Sequence, residues 1–301
     1  MFYSRFIRSI GYALLLTLVP ALQAETDSVS GNHDIWRIDT HSLSFAEPNS
    51  ENFAKLRYYQ RTNNAWVESG SETFFSTQQK DVPLIIFAPG YTSTTSGTIQ
   101  TGLGLVRLFD KSKKCRVVFW DWYAERIFCR IRSDVRSKIP VAQRSAGYLT
   151  LLMQNLKTDS KVCLFGFSFG ARIVCGGVQN LNEADAERLH LHVVLSAAAT
   201  DQNWLGSESR HSNTVKYAEK ILVTYNPDDW ALAFYPYMYE IGHRAEALGL
   251  LGPPMRSVAP QYRSKIEAVN VQHYIGREHQ TLKHAGSPVF RSRIGTYFFF
   301  E

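Results

Sequence analysis

The chain has 301 residues, 45% of them hydrophobic, enough for one large core and in keeping with a single α/β domain rather than two small ones. Its net charge of +6 is spread along the chain and not gathered into a tail or stripe, which argues against nucleic-acid binding. The four cysteines lack zinc-ligand spacing and give no sign of a metal centre.

Residues 1–24 carry Arg5 and Arg8, an apolar run over 10–19, then Pro20, Ala21 and Ala24 before the polar Glu25-Thr26-Asp27. This is the pattern of a secretory signal peptide ending at Ala24, and it predicts a secreted or periplasmic protein. The run is short for a bilayer span, so an uncleaved membrane anchor is the alternative. Residues 34–40 and 55–60 alternate apolar and polar side chains, with Asn63-Asn64 and Gly70 as punctuation, and predict antiparallel strands at the start of a sheet. Short, wholly apolar strands follow at 84–87 and 117–120, with a helix around 103–109 between them. The basic stretch 126–138 reads as a solvated helical face and 141–156 as the next helix. Further strands are expected at 161–165, 191–195, 221–225 and 268–274, with a helical excursion at 233–262 inside one domain spanning 25–301. Alternating strands and helices predict a mostly parallel, doubly wound α/β sheet flanked by helices. Cys163 and Cys175 fall in core elements as inert thiols, and Cys115 with Cys129 is the better placed pair should a disulfide form.

The most informative segment is Gly166-Phe167-Ser168-Phe169-Gly170, set between an apolar strand and a helix whose Ile173, Val174, Val178 and Leu181 keep helical spacing. A G-x-S-x-G sequence at a strand-to-helix turn is a nucleophile elbow: the serine takes a strained conformation to expose its hydroxyl, and side chains in place of the glycines would crowd the reversing chain. The amide of Phe169 and the positive end of the following helix then face a developing oxyanion. The second donor is expected from the turn Ala88-Pro89-Gly90-Tyr91-Thr92-Ser93, through the amide of Tyr91.

Serine is a weak nucleophile and needs a base, usually a histidine held by a carboxylate, which in this arrangement follow it in the order Ser, acid, His. Asp229, in the turn Asn226-Pro227-Asp228-Asp229-Trp230 after the strand 221–225, is the preferred acid, with Asp228 and Asp201 as alternatives. His284 is the preferred base because its loop leads into a final apolar run, and His279 is the alternative. His273 is expected inside the last strand, facing the packing.

These residues resemble the α/β-hydrolase superfamily of serine esterases and lipases over about 83–290. Gly90-Tyr91-Thr92-Ser93, Phe119-Trp120-Asp121-Trp122 and Gly166 to Ala171 look like the corresponding stretches of lipase-type members. The turn at 226–232 and the segment 244–249 look more like a bacterial group of poorly characterised hydrolases. The resemblance implies Ser168, Asp229 and His284 as a catalytic triad; in a lipase-like branch Asp201 would be the acid. The family often carries His-Gly before the oxyanion residue, where this chain has Pro89-Gly90.

The function so predicted is hydrolysis of carboxylic esters through an acyl-enzyme on Ser168, with a small-molecule or lipid ester as substrate; peptidase, thioesterase and acyltransferase chemistry use the same constellation. A non-catalytic envelope or binding protein that retains the fold is the alternative. No cofactor is expected: there is no Walker loop or zinc motif, and Gly102-Leu103-Gly104 lacks the third glycine and preceding strand of a dinucleotide fingerprint. Membrane contact is compatible with the sequence but not indicated by it. The aromatic stretches 120–128 and 234–239 are expected either to pack helices or to wall an acyl pocket or lid.

Overall fold

A computed structural model describes residues 32–238 and 244–301; the expected signal peptide lies outside the described residues. Nine strands form one sheet: β1 His33–Asp39, β2 Arg57–Thr62, β3 Ala65–Ser69, β4 Leu84–Ala88, β5 Cys115–Asp121, β6 Ser160–Phe167, β7 Leu189–Ser196, β8 Lys220–Tyr225 and β9 Ile266–Asn270. Their spatial order is β3-β2-β1-β5-β4-β6-β7-β8-β9. Only β2 runs against its neighbours, pairing antiparallel with β1 and β3, and every other pairing is parallel. The fold is therefore the mostly parallel α/β sheet with antiparallel N-terminal pairings that the sequence predicts.

The strand textures follow from this order. All residues of β4 and β5 are buried, as are all but one of β6, because helices cover both faces of the sheet centre. At the edges β3 is largely exposed and β9 mixes buried with exposed positions. Four helices matter for the site: α1 Thr95–Val106, α2 Ile131–Gln154, α3 Gly170–Gln179 and α4 Thr281–Gly286. The chain passes from β4 to β5 on one side and then to β6 on the other, so the order of strands reverses beside β4. At such a switch point the loops leaving the carboxyl ends of adjacent strands diverge and open a crevice; here those loops follow β4 and β6.

Several sequence expectations shift. Helix α1 begins at Thr95, ahead of the expected 103–109, because Thr94 caps it through a hydrogen bond from the Gly97 amide at 3.0 Å. Helix α2 starts at Ile131 and carries Pro140 in its interior, where a proline reads as a boundary. The stretch 126–138 is consequently not a uniformly solvated face: 126–133 is exposed, but Asp134, Val135 and Lys138 are buried, with the Lys138 ammonium 4.1 Å above the Tyr123 ring. The last strand ends at Asn270, whose side chain accepts a hydrogen bond from the Gln272 amide at 2.9 Å and turns 272–275 into a helical turn. His273 is thus exposed and not inside a strand. Over 233–262 the described residues form short helical turns, among them Tyr235–Met238 and Leu248–Leu251.

The four cysteines are free. Cys115 opens β5 and Cys129 lies in the loop beyond its other end. Seven residues of strand separate those ends by roughly 20 Å, far beyond the ~6 Å a disulfide spans. Cys115 instead places its sulfur 3.2 Å from His33 Nδ1.

Candidate active site

The elbow forms where β6 runs out at Phe167 and α3 begins at Gly170. Ser168 sits between them with φ of 52°, in the left-handed region that costs a side-chain-bearing residue energy. Its conformation is held by its own amide, which donates to the Ser196 carbonyl at 2.9 Å, and by its carbonyl, which accepts from the Ala199 amide at 3.0 Å. A Cβ on Gly170 would stand 2.0 Å from the Ala88 carbonyl oxygen, and one on Gly166 would stand 2.6 Å from the Ala171 Cα. Both glycines are therefore required by close backbone approach.

Asp229 follows β8. Its Oδ1 accepts hydrogen bonds from the amides of Ala231 and Leu232, each at 3.0 Å, and its Oδ2 faces His279 Nδ1 at 2.6 Å. The carboxylate is fully buried. The other ring nitrogen of His279 lies 2.9 Å from Ser168 Oγ. A carboxylate can only accept, so Nδ1 carries the ring proton, Nε2 is the acceptor, and the serine hydroxyl donates to it. The three side chains form one chain of hydrogen bonds in the order Ser168, His279, Asp229. Two contacts deliver His279 to that position: Asn226 Nδ2 donates to the Gly276 carbonyl at 2.7 Å, and the Trp230 amide donates to the Arg277 carbonyl at 3.3 Å. Gly276 itself has φ of 57° and lets the chain turn back toward β8.

The structure thus brings together Ser168 and Asp229 as expected but puts His279, not His284, between them. His284 belongs to α4, fully buried, and rests edge-on to the Phe167 ring at 5.6 Å. Neither of its ring nitrogens makes a hydrogen bond of good geometry among the described residues. Burial and the neighbouring His279 push its pKa down to about 4, so it is a neutral packing group. The alternative acids are engaged elsewhere. Asp228 accepts from Gln272 Nε2 at 2.7 Å on the outer side of the turn, and Asp201 accepts from the Tyr235 hydroxyl.

The turn after β4 lies directly against the elbow, since a Cβ on Gly90 would stand 3.1 Å from that of Ser168. Trp122 fixes it by donating from its indole to the Pro89 carbonyl at 3.0 Å while stacking on the Phe169 ring at 5.8 Å. Tyr91 is fixed further out, where its hydroxyl donates to the Asp134 carboxylate. Asp134 also accepts from the amides of Ile127 and Phe128, each at 2.6 Å. Although burial opposes ionisation, these bonds hold its carboxyl below the ordinary carboxylate range. Asp134 and Trp122 hold this turn in place, and the sequence does not reveal them. A lone aspartate among arginines looks like surface charge patterning, and only the folded loop shows what it binds.

A cleft of about 630 Å³ opens over Ser168. Its lining is mostly apolar and includes Ile131 and Val135 from α2, Trp230, Phe234 and Met238, and Leu282 from α4. Of the two aromatic stretches, the later one contributes to this wall, while Trp120 and Trp122 are buried. Among the described residues, Asp39, His41 and Asp121 bring three candidate metal-ligand atoms within 4.8 Å of one another. Arg37 already bonds the Asp121 carboxylate at 2.7 Å and His41 Nε2 lies 3.2 Å from it, so the group is a compensated ion cluster.

No family model matches the chain, and no curated protein matches its sequence. Solved structures do resemble it. An esterase from Rhodococcus sp. ECU1013 is similar at 11% identity and a TM-score of 0.45, over 81% of this chain and 94% of that one. A dienelactone hydrolase-like promiscuous phosphotriesterase from metagenomic libraries is similar at 11% identity and 0.43, over 81% and 92%. A lipase-esterase related protein from Clostridium acetobutylicum ATCC 824 is similar at 10% identity and 0.41, over 73% and 96%. At these values the likeness says nothing of what this chain does; the mostly parallel α/β sheet and the strand-to-helix elbow are features of the chain itself.

Proposed function

We propose that the protein is a serine hydrolase that cleaves carboxylic esters through an acyl-enzyme on Ser168. The observation that carries this reading is the unbroken hydrogen-bond chain from Ser168 Oγ through His279 to the buried Asp229. In this mechanism His279 Nε2 takes the hydroxyl proton as Ser168 Oγ attacks the ester carbonyl. Asp229 keeps the proton on Nδ1 and stabilises the imidazolium that forms. The tetrahedral oxyanion develops toward the amides of Phe169, at the start of α3, and of Tyr91, in the turn held by Trp122 and Asp134. His279 then returns the proton to the departing alkoxide, the ester carbon–oxygen bond breaks, and the alcohol leaves. A water molecule, deprotonated by the same imidazole, hydrolyses the acyl-serine and releases the carboxylic acid.

The apolar walls of the cleft favour an ester with a hydrocarbon acyl chain over a charged peptide. Turnover of a series of 4-nitrophenyl esters of increasing acyl length by the purified protein tests the reading. The expected outcome is hydrolysis that rises with chain length up to the reach of the cleft and is abolished in Ser168→Ala. A folded protein that turns over none of them contradicts it. We further infer, from Arg5, Arg8 and the apolar run that precedes Ala24, that the chain acts outside the cytoplasm. N-terminal sequencing of the protein recovered from fractionated cells should begin at Glu25.

A further inference from the structure

The segment 126–133, the end of the loop after β5 and the first turn of α2, reads Arg-Ile-Phe-Cys-Arg-Ile-Arg-Ser and is exposed throughout. Ile127, Phe128 and Ile131 hold 45%, 48% and 40% of their surface in water, an arrangement that the hydrophobic effect opposes unless something covers it. The loop is built to present them. The buried Asp134 carboxylate binds the Ile127 and Phe128 amides, and the Arg126 guanidinium closes the turn by donating to the Phe128 carbonyl at 2.9 Å and to that of Cys129. Arg130 and Arg132 stand in sequence between the apolar residues, both exposed, and among the described residues no side-chain hydrogen bond or salt bridge engages either guanidinium. No acidic residue occurs in the loop.

A second exposed group follows β8: Trp230 and Phe234, which line the cleft, and Tyr237 beside them in the chain, at 50%, 49% and 69%. The two groups belong to one face, because Ile131, Trp230 and Phe234 line the same cleft and α2 packs against the turn Tyr235–Met238. Apolar tips interleaved with unpaired arginines on one side, and tryptophan and tyrosine on the other, match a single environment. The boundary between lipid headgroups and acyl chains takes up apolar side chains to a depth of ~5–10 Å, favours Trp and Tyr, and in an anionic membrane pairs with cations. Among the described residues no helix is long and apolar enough to cross a membrane.

We propose that this face docks on an anionic lipid bilayer, seating the mouth of the cleft at headgroup depth. The docking stands on the two exposed groups and holds whether or not Ser168 is a nucleophile. If it is, the substrate is the ester of a lipid drawn from that surface, whose carbonyl arrives at the depth of the cleft mouth.

Cys129 supplies the test, since it is the one exposed cysteine and sits inside the loop, while Cys115, Cys163 and Cys175 are buried. A nitrobenzoxadiazole fluorophore attached there in the full-length Ser168→Ala chain reports loop insertion independently of turnover, and vesicle binding through the apolar N-terminal segment leaves it unmoved. Vesicles of phosphatidylcholine containing phosphatidylglycerol should brighten the fluorophore and shift its emission to the blue at low salt, and phosphatidylcholine alone should not. Replacing Arg130→Gln and Arg132→Gln together should weaken that partition roughly 30-fold, about fivefold for each charge near the membrane, with an unchanged circular dichroism spectrum. An unchanged emission on anionic vesicles, an equal response to neutral ones, or the same response to soluble polyglutamate would overturn the proposal. The last of these would mark a polyanion or acidic protein partner instead.

Discussion

His279 and His284 are near neighbours in the chain, and both rest against the ring of Phe167, at 5.1 and 5.6 Å. Their surroundings are nonetheless opposite. His279 sits in the loop that Gly276 turns back toward β8, part-exposed, with a carboxylate on one nitrogen and a hydroxyl on the other. His284 sits on the buried side of a short helix, with both nitrogens lacking such partners. The difference teaches that a candidate catalytic imidazole is picked out by its hydrogen-bond partners and not by its place near the end of a sheet. The proposed function assigns them separate tasks: proton transfer to His279, and to His284 the filling of space beside Phe167.

The comparison breaks most sharply at the level of activity. His279→Ala should lower kcat for ester hydrolysis on the order of 10⁶-fold, as should Ser168→Ala, whereas His284→Leu should retain activity within about tenfold when measured on the folded fraction. Asp229→Asn should cost on the order of 10⁴-fold, because the imidazole loses the partner that fixes its tautomer. Asp201→Asn and Asp228→Asn should each stay within roughly tenfold, and steady-state kinetics on the three variants decide among them. Asp134→Asn should act through position, loosening Tyr91 and the loop above it. We expect kcat to fall up to ~10²-fold with KM nearly unchanged, in the manner of a displaced oxyanion turn.

The smallest effect is on stability. Folding lowers the pKa of His284 from its ordinary 6.5 to about 4, through burial first and then through His279, with Asp229 opposing. The unfolded chain therefore takes up the proton first as the solution is acidified. Stability is intact above pH 6.5 and is lost as pH falls toward 4, by at most about 1.4 kcal/mol per pH unit for this group. His211, pushed down to about 3 by burial, adds a slope of the same sign. Urea denaturation at a series of pH values should show a shallower acid loss in His284→Leu than in the wild type, and parallel slopes would contradict its assignment as a buried neutral group.

What could be read from the sequence divides along physical lines. The inner strands were legible because a strand covered on both faces is apolar throughout, and β4, β5 and β6 fall on the runs expected of them. The elbow was legible because the clashes at Gly166 and Gly170 admit no side chain. The acid turn was legible from its place after β8. The histidine that reaches Ser168 was not, because choosing between two histidines needs the path of the chain after β9. There the Asn270 side chain accepts from the Gln272 amide, and the chain enters a helical turn that the alternation of 268–274 disguises as strand. The start of α2 was hidden by Pro140 and a cluster of arginines, and with it the buried Asp134 that ties the turn at Tyr91 to the exposed loop. Contacts that join distant loops leave no periodic trace, so they stay invisible until the sheet brings the loops together.

The most direct measurement is covalent labelling of the purified protein with a fluorophosphonate probe, mapped by peptide mass spectrometry in the wild type, His279→Ala and His284→Leu. The account predicts a single adduct at Ser168, formed at a comparable rate in His284→Leu and lost in His279→Ala. An adduct that persists in folded His279→Ala while vanishing from folded His284→Leu, or no adduct at Ser168 in the wild type, would contradict it.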